Sequence, residues 1–346
     1  MTIDLDSAPT VRGPMNATPA RRPGSVRRTS SIDMTWPGGR GTQLRLLGRA
    51  RDLLTPADGG PPRVLAEDVM RVGVALDRTI EDITTEPPRP TIGGLVGARG
   101  GGRLRGILGE VVPAERAAGT PLYLLLDDIA GASLISGFAY SQWTSEWMSP
   151  KPGQPSPRRR MEGICTGFQP GSSALDRDGT GRMSHRTRPV DPLPASDDPR
   201  AWHHLDDITD VSMRRARRID VRLAESGVLE VDAMFQDSAT TPAGGRVAVH
   251  EYQVTATADP ATGELLTVEA DPRVLPYAEC PLAVRNIEPM IGTRLADLRQ
   301  AVLDELKGIR GCTHLNDALR ALAEVPVLAR PLLDGSTQGR PGALSE

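Results

Sequence analysis

The chain has 346 residues and a net charge of −3, long enough to bury a sizeable core and too balanced for general attraction to nucleic acid or anionic membrane. Hydrophobic residues make up 38% and aromatics only 3%, so that core must be mostly Leu, Val, Ala and Ile, and 36 glycines with 31 prolines require many turns and loops. Three cysteines, Cys165, Cys280 and Cys312, are too few for a disulfide framework and fit a reducing, cytoplasmic setting.

Residues 1–24 lack the apolar run of a signal peptide and are expected to be a disordered tail. From Ser25 the segments SVRRTSSID, LRLLGRARD and RVLAEDV succeed one another, separated by turn-forming stretches. LVGARGGGRLRGILGEV and GTPLYLLLDDIAG follow, and the latter sets Leu122, Leu125, Leu126 and Ile129 on one helical face. Asp127 and Asp128 split the most apolar window, so no membrane span is expected. GARGGGRLRG lacks the Lys-Ser/Thr of a phosphate loop and reads as an arginine-bearing loop. Residues 149–211, rich in Pro, Gly and Arg, form a connection that carries Cys165.

From Ser212 the same order returns. SMRRARRID, LEVDAMFQD, RVAVHEY, MIGTRLADLRQAVLDEL and GCTHLNDALRAL match the five earlier segments in turn, with an offset that drifts from 187 to 183 and then to about 195. Alternation puts His250, Tyr252, Val254 and Ala256 on one strand face, DPATGE is turn chemistry, and LLTVEA returns as a strand. Leu295, Leu298, Val302, Leu303 and Leu306 mark one helix, and Leu315, Ala318, Leu319 and Leu322 another. The expected fold is α+β: a tandem duplication, residues 25–148 and 212–332, each repeat an antiparallel β-meander followed by two helices and packed against the other. Residues 333–346 are expected to be a second disordered tail. Arg158 to Arg160 and Arg214 to Arg218 read as solvated charge runs, and His203 and His204 as surface residues.

The copies differ at their cysteines. Cys312-Thr313-His314 opens a helix in the second, where the first has Thr120-Pro121; Cys280 follows the returning strand, where TTEPPRP has no cysteine. Thr313 is the expected N-cap. The helix dipole is expected to favour a Cys312 thiolate and keep His314 neutral. Glycines around Cys165 allow its loop a close approach, so Cys165, Cys280, Cys312 and His314 are a candidate Cys3His set for zinc or an iron–sulfur cluster. The alternative is a nucleophilic Cys312 acting on an acyl or thioester substrate. His314 or His250 would then handle the proton, and free helix N–H groups would hold the oxyanion. A third reading is a non-catalytic interaction module with buried, inert cysteines.

LPYAECP, MIGTRLADLRQAVLDEL and GCTHLNDAL resemble the bacterial domain-of-unknown-function family 2889, closely over about Met213 to Pro331. GICTGFQPGSSAL and the first copy are similar to its long actinobacterial members. The resemblance implies a setting in the catabolism of aromatic, steroid or acyl-CoA compounds, with a small-molecule substrate. A looser likeness is to iron–sulfur scaffold and sulfur-acceptor proteins. It implies that Cys165, Cys280 and Cys312 converge on one metal or sulfur site, with His314 as a further ligand.

Overall fold

The structure is a computed structural model that describes residues 3–15, 17–144, 161–175, 186–194 and 197–338. The arginine run Arg158 to Arg160 lies outside the described residues, as do much of the expected connection and most of the expected C-terminal tail.

Alternating sequence becomes strand where expected. β1 (Ser25–Thr35), β2 (Leu44–Thr55), β3 (Arg63–Val74) and β4 (Ile80–Glu86) form one meander. After β5 (Arg188–Val190), β6 (Ser212–Leu223), β7 (Leu229–Thr240), β8 (Arg246–Ala258) and β9 (Leu265–Val274) form a second. Both belong to one mixed α+β architecture, because β1 pairs with β6 and joins them into a single nine-stranded sheet. Its order is β4-β3-β2-β1-β6-β7-β8, with β9 and β5 both beyond β8, and every pairing is antiparallel.

Among the described residues, six α-helices cover one face. The first meander is followed by α1 (Leu104–Val111), α2 (Pro113–Ala118) and α3 (Pro121–Ile135), the second by α4 (Leu298–Glu305), α5 (Thr313–Ala321) and α6 (Val325–Gln338). There are thus three α-helices per half rather than the two expected; Pro326 and Pro331 obscured α6 in the sequence. Leu122, Leu125, Leu126 and Ile129 are fully buried, as are Leu295, Leu298 and Val302, whereas Leu303 is exposed. Each fully buried leucine contributes roughly 1.5–3 kcal/mol of apolar transfer.

The stretch Pro121–Gln142 is long and apolar enough to cross a bilayer, but 78% of its most apolar window is buried inside the protein. Its two acids explain why it belongs there: Asp127 pairs with Arg105, Arg299 and Arg320, and Asp128 with Arg215 and Arg217.

The central strands carry charge through the middle of the molecule. Val26, Arg28, Ile32 and Met34 of β1, with Met213, Arg215, Arg217, Ile219 and Val221 of β6, face the helices. There Arg28 meets Asp52 and Glu324, and Arg215 meets Asp237, Asp317 and Asp128. On the other face Arg27 reaches across to Asp220, and Arg214 to Asp33. The run Arg214 to Arg218, expected to be solvated, is therefore buried; its carboxylate partners lie mostly on other elements, out of sight of a local sequence window.

That second face is covered by chain expected to be loose or exposed. Arg12 and Gly13 donate N–H groups to the carbonyls of Pro272 and Arg273 (3.3 and 2.9 Å), and the Met15 N–H reaches Glu251 Oε1 at 2.6 Å. Trp202 Nε1 donates to Thr18 Oγ1 at 2.9 Å, and Arg21 pairs with Asp198. His203 is buried rather than on the surface, its ring between Thr29 Oγ1 (2.9 Å) and Ser31 Oγ (2.8 Å), while His204 is exposed beside Asp206.

Candidate metal centre

The sequence points to the start of α5, and the geometry there has two parts. Cys312, not Thr313, is the N-cap residue, with extended backbone, and Thr313 begins the helix. His314, one position on, turns its ring toward the sheet. Opposite it, β7 and β8 place Asp237 directly across from His250, beside a bulge at Val249 of β8. Alternation aims both side chains at the helix layer.

The rings of His250 and His314 stack at 3.4 Å between centroids, tilted by 17°. Asp237 Oδ2 lies 3.5 Å from His250 Nδ1 and 3.5 Å from His314 Nε2. One ligand atom from each of Asp237, His250 and His314 falls within 4.8 Å of the others, the one such trio of ligand-type side chains among the described residues. A separation of 3.5 Å is long for a hydrogen bond. It is close to the edge of a tetrahedron whose corners are about 2.0–2.1 Å from a zinc ion, which is roughly 3.3 Å. His250 Nδ1 is buried and has no hydrogen-bond partner, a rare condition for a polar atom.

Electrostatics keep all three groups in ligand form. Burial alone would raise the Asp237 pKa, but the Arg215 guanidinium, bound through Nε to Oδ1 at 2.9 Å and through Nη2 to Oδ2 at 3.1 Å, outweighs it and holds the carboxyl well below the ordinary range. Arg215 is anchored in turn to Asp317 Oδ2 at 3.0 Å. Burial pushes His250 down, against the pull of Asp237, and pushes His314 well down, helped by His250. Two neutral imidazoles and one ionised carboxylate, oriented by a buried arginine, form the two-histidine, one-carboxylate donor set used for zinc and non-haem iron.

The second part is the cysteines, all buried and unbridged. The Cys165 loop is tied to the start of α5: the Thr166 N–H donates to the Gly311 carbonyl at 2.8 Å, and Thr166 Oγ1 to the carbonyls of Gly311 and Ile309, both at 2.9 Å. Cys280 begins a 3-10 turn, Cys280–Asn286, facing the same loop. A Cβ on Gly167 would stand 2.6 Å from Cys280 Sγ and 3.9 Å from Cys165 Sγ. Cys312 Sγ is 3.9 Å from His314 Nδ1. The expected lowering of the Cys312 pKa does not occur. Burial raises it, overriding the Tyr252 hydroxyl and the first-turn amides of Leu315 and His314. Burial likewise pushes Cys165 up to about 12 and Cys280 well above its ordinary value.

Of the four residues expected to share one ion, the structure therefore brings Cys165 and Cys280 to either side of Gly167, leaves Cys312 Sγ beside His314 Nδ1, and turns His314 Nε2 to Asp237. Asp237 was missing from the sequence reading. Its signal was there: it occupies the same place in LEVDAMFQD as Asp52 in LRLLGRARD, and each pairs with the second arginine of a Ser-x-Arg-Arg segment.

Residues 213–328 match the family described as "Protein of unknown function (DUF2889)". This stretch is a DUF2889 domain. The match begins in β6 and ends in α6, so Asp237, His250, Cys280, Cys312 and His314 fall inside the DUF2889 domain and Cys165 outside it. No curated protein and no solved structure matches the chain.

Proposed function

We propose that the DUF2889 domain holds one divalent transition-metal ion, zinc or iron, between Asp237, His250 and His314. The observation that carries this reading is the buried, unpartnered His250 Nδ1, 3.5 Å from a carboxylate oxygen that stands equally far from His314 Nε2. Three protein ligands leave a tetrahedral ion one position for water or substrate, the arrangement of catalytic rather than structural zinc. Such an ion polarises a carbonyl or lowers the pKa of bound water, so the reaction class it supports is Lewis-acid chemistry on a small molecule.

The site also fits an origin by tandem duplication. β1 and β6 pair so that Ser30 meets Arg217, its own counterpart at the offset of 187, which is what a two-fold axis between two copies produces. Around that axis the contacts are reciprocal: Arg27–Asp220 mirrors Arg214–Asp33, and Arg28–Asp52 mirrors Arg215–Asp237. Both β2 and β7 have a register shift immediately after the paired aspartate. Opposite Asp52 stands Ala66, whereas opposite Asp237 stands His250, so only the second copy has the ligands.

Elemental analysis of protein purified without an affinity metal tests the assignment. About one zinc or iron per chain is expected, lost in His250→Ala and His314→Ala and retained in Cys280→Ala, as three N/O donors require. No bound ion, together with no change in melting temperature on adding zinc or cobalt, refutes it.

A further inference from the structure

Asp237 stands at one end of a buried network of ion pairs, and the charge of that network bears on what the open position of the ion accepts. From Asp52 the pairs run through Arg28 to Glu324, and through Arg299 to Asp127. Arg105 and Arg320 link Asp127 to Asp317. Arg215 then joins Asp317 to Asp237 and Asp128, and Arg217 closes the chain on Asp128. Six arginines thus meet six carboxylates, and all but Arg105 are buried. Among the described residues no further lysine, arginine, aspartate or glutamate pairs with any of them.

Without an ion this layer is neutral. Asp237 is already matched by Arg215, and imidazoles ligate uncharged, so a divalent ion brings two positive charges that nothing in the network offsets. A charge left unmatched in a buried site is costly. Arg217 adds a spare donor on the same side of the balance: its Nε is buried with no hydrogen-bond partner. Its Cζ lies 5.4 Å from the centroid of the Phe235 ring, itself 6.1 Å from that of His314. We infer, on the metal assignment above, that the open position takes an anion, and that the substrate is a small organic acid whose carboxylate coordinates the ion. A monoanion halves the excess charge and a dianion removes it, whereas a neutral carbonyl compound leaves it whole. The way in is past His314, whose side chain is 12% exposed where that of Asp237 is 0%.

Cobalt(II) is the spectroscopic stand-in for the ion, and acetate and acetamide are the probes, alike in shape and different in charge. The full-length chain loaded with cobalt is titrated with each at constant ionic strength, with His250→Ala as the blank. The visible ligand-field bands report what enters the open position. Acetate is expected to shift those bands to a plateau and to bind about tenfold tighter than acetamide or more, the preference that excess positive charge imposes. Asp317→Asn removes one negative charge, while Arg105 and Arg320 keep Asp127 and Arg215 keeps Asp237. It should tighten acetate about threefold or more, and Arg217→Met, which removes one positive charge, should weaken it by a similar factor. Damage to packing alone would not move the two variants in opposite directions. Acetate and acetamide binding alike, or acetate leaving the bands of bound cobalt unchanged, overturns the acid-substrate inference and leaves the metal centre standing. Failure of the unaltered protein to take up cobalt removes both. The two probes on the unaltered protein decide the matter even where a variant fails to fold.

Discussion

Replacing Arg215 by methionine tests the electrostatic frame on which the metal reading stands. The guanidinium is fully buried and binds Asp237 through two nitrogens, with Asp317 and Asp128 at 3.0 and 3.5 Å. Methionine fills similar space without the charge. Asp317 keeps Arg105 and Arg320, and Asp128 keeps Arg217, so the orphaned group is Asp237. Breaking a buried pair by removing one partner costs about 3–5 kcal/mol. The two imidazoles beside Asp237 offer it some relief by taking up a proton, which places the expectation near the low end, about 3 kcal/mol. With a urea slope of roughly 3 kcal/mol per molar, the unfolding midpoint should fall by about 1 M. Arg28→Met is the internal control. It orphans Asp52 in the same way, while Glu324 keeps Arg299, so its loss of stability should be similar. The two should part in metal content: Arg215→Met weakens the ion at Asp237, and Arg28→Met leaves it unchanged. Midpoint shifts equivalent to less than about 1 kcal/mol in both variants would show that the buried ion pairs do not carry the load assigned to them.

Three further outcomes are expected. Burial, with Arg51, Arg214, Arg49 and His204 nearby, drives the buried His203 down to about 3. An unfolded histidine titrates near 6.5, so this contribution is complete above about 6.5 and is lost as pH falls from there toward about 3, costing about 2 kcal/mol by pH 5. Urea unfolding at pH 7.5 and pH 5 should show that difference shrink by this amount in His203→Gln; an unchanged pH dependence would refute it. A Cβ on Gly131 would collide with Arg215 Nη1 and sit 2.8 Å from Asp317 Oδ2, so Gly131→Ala should cost about 1–3 kcal/mol by overpacking and reduce bound metal. Melting temperature and metal content check it. Gly311→Ala places its Cβ against the Leu306 carbonyl and 2.8 Å from Asn316 Nδ2, so the turn before Cys312 must shift. A loss of about 2 kcal/mol is expected in urea unfolding, with unaltered stability as the contrary result.

How far the sequence was legible depended on whether partners were near in the chain. The strands announced themselves because alternation is local: β7, β8 and β9 begin and end within a few residues of the expected limits. The buried stripe of α3 was legible for the same reason. The charge layer was not. Arg28 lies 24 residues from Asp52 and 296 from Glu324, so nothing close by in SVRRTSSID or SMRRARRID marks the arginines as buried. The local rule that a run of cations is solvated then misleads. Cys312 shows a second limit. Its place at a helix start was readable, but the sign of its pKa shift depends on burial by loops at residues 163–175 and 277–286, which outweighs the first-turn amides.

The two halves together explain why the metal centre would arise in one place only. A buried carboxylate paired with an arginine is the costly requirement, and both halves meet it, at Asp52 with Arg28 and at Asp237 with Arg215. In the first half that carboxylate faces Ala66 across the strand pair. The first turn of α3 presents Leu122, whose N–H is held by Asp68 Oδ2 at 3.1 Å. In the second half the position opposite the aspartate is His250, and the first turn of α5 presents His314. Two nitrogen donors beside the Arg215–Asp237 pair make the difference between a salt bridge and a two-histidine, one-carboxylate set. Neither addition disturbs the apolar stripe of Leu315, Ala318, Leu319 and Leu322 beneath. Both positions must change for this to happen. Ala66→His in the first half would supply one nitrogen opposite Asp52 and, with Leu122 still in the first turn, should create no second site. The first half thus has the same pairing of arginine and aspartate without the ligands, and the contrast between His314 and Leu122 is the feature that separates scaffold from site.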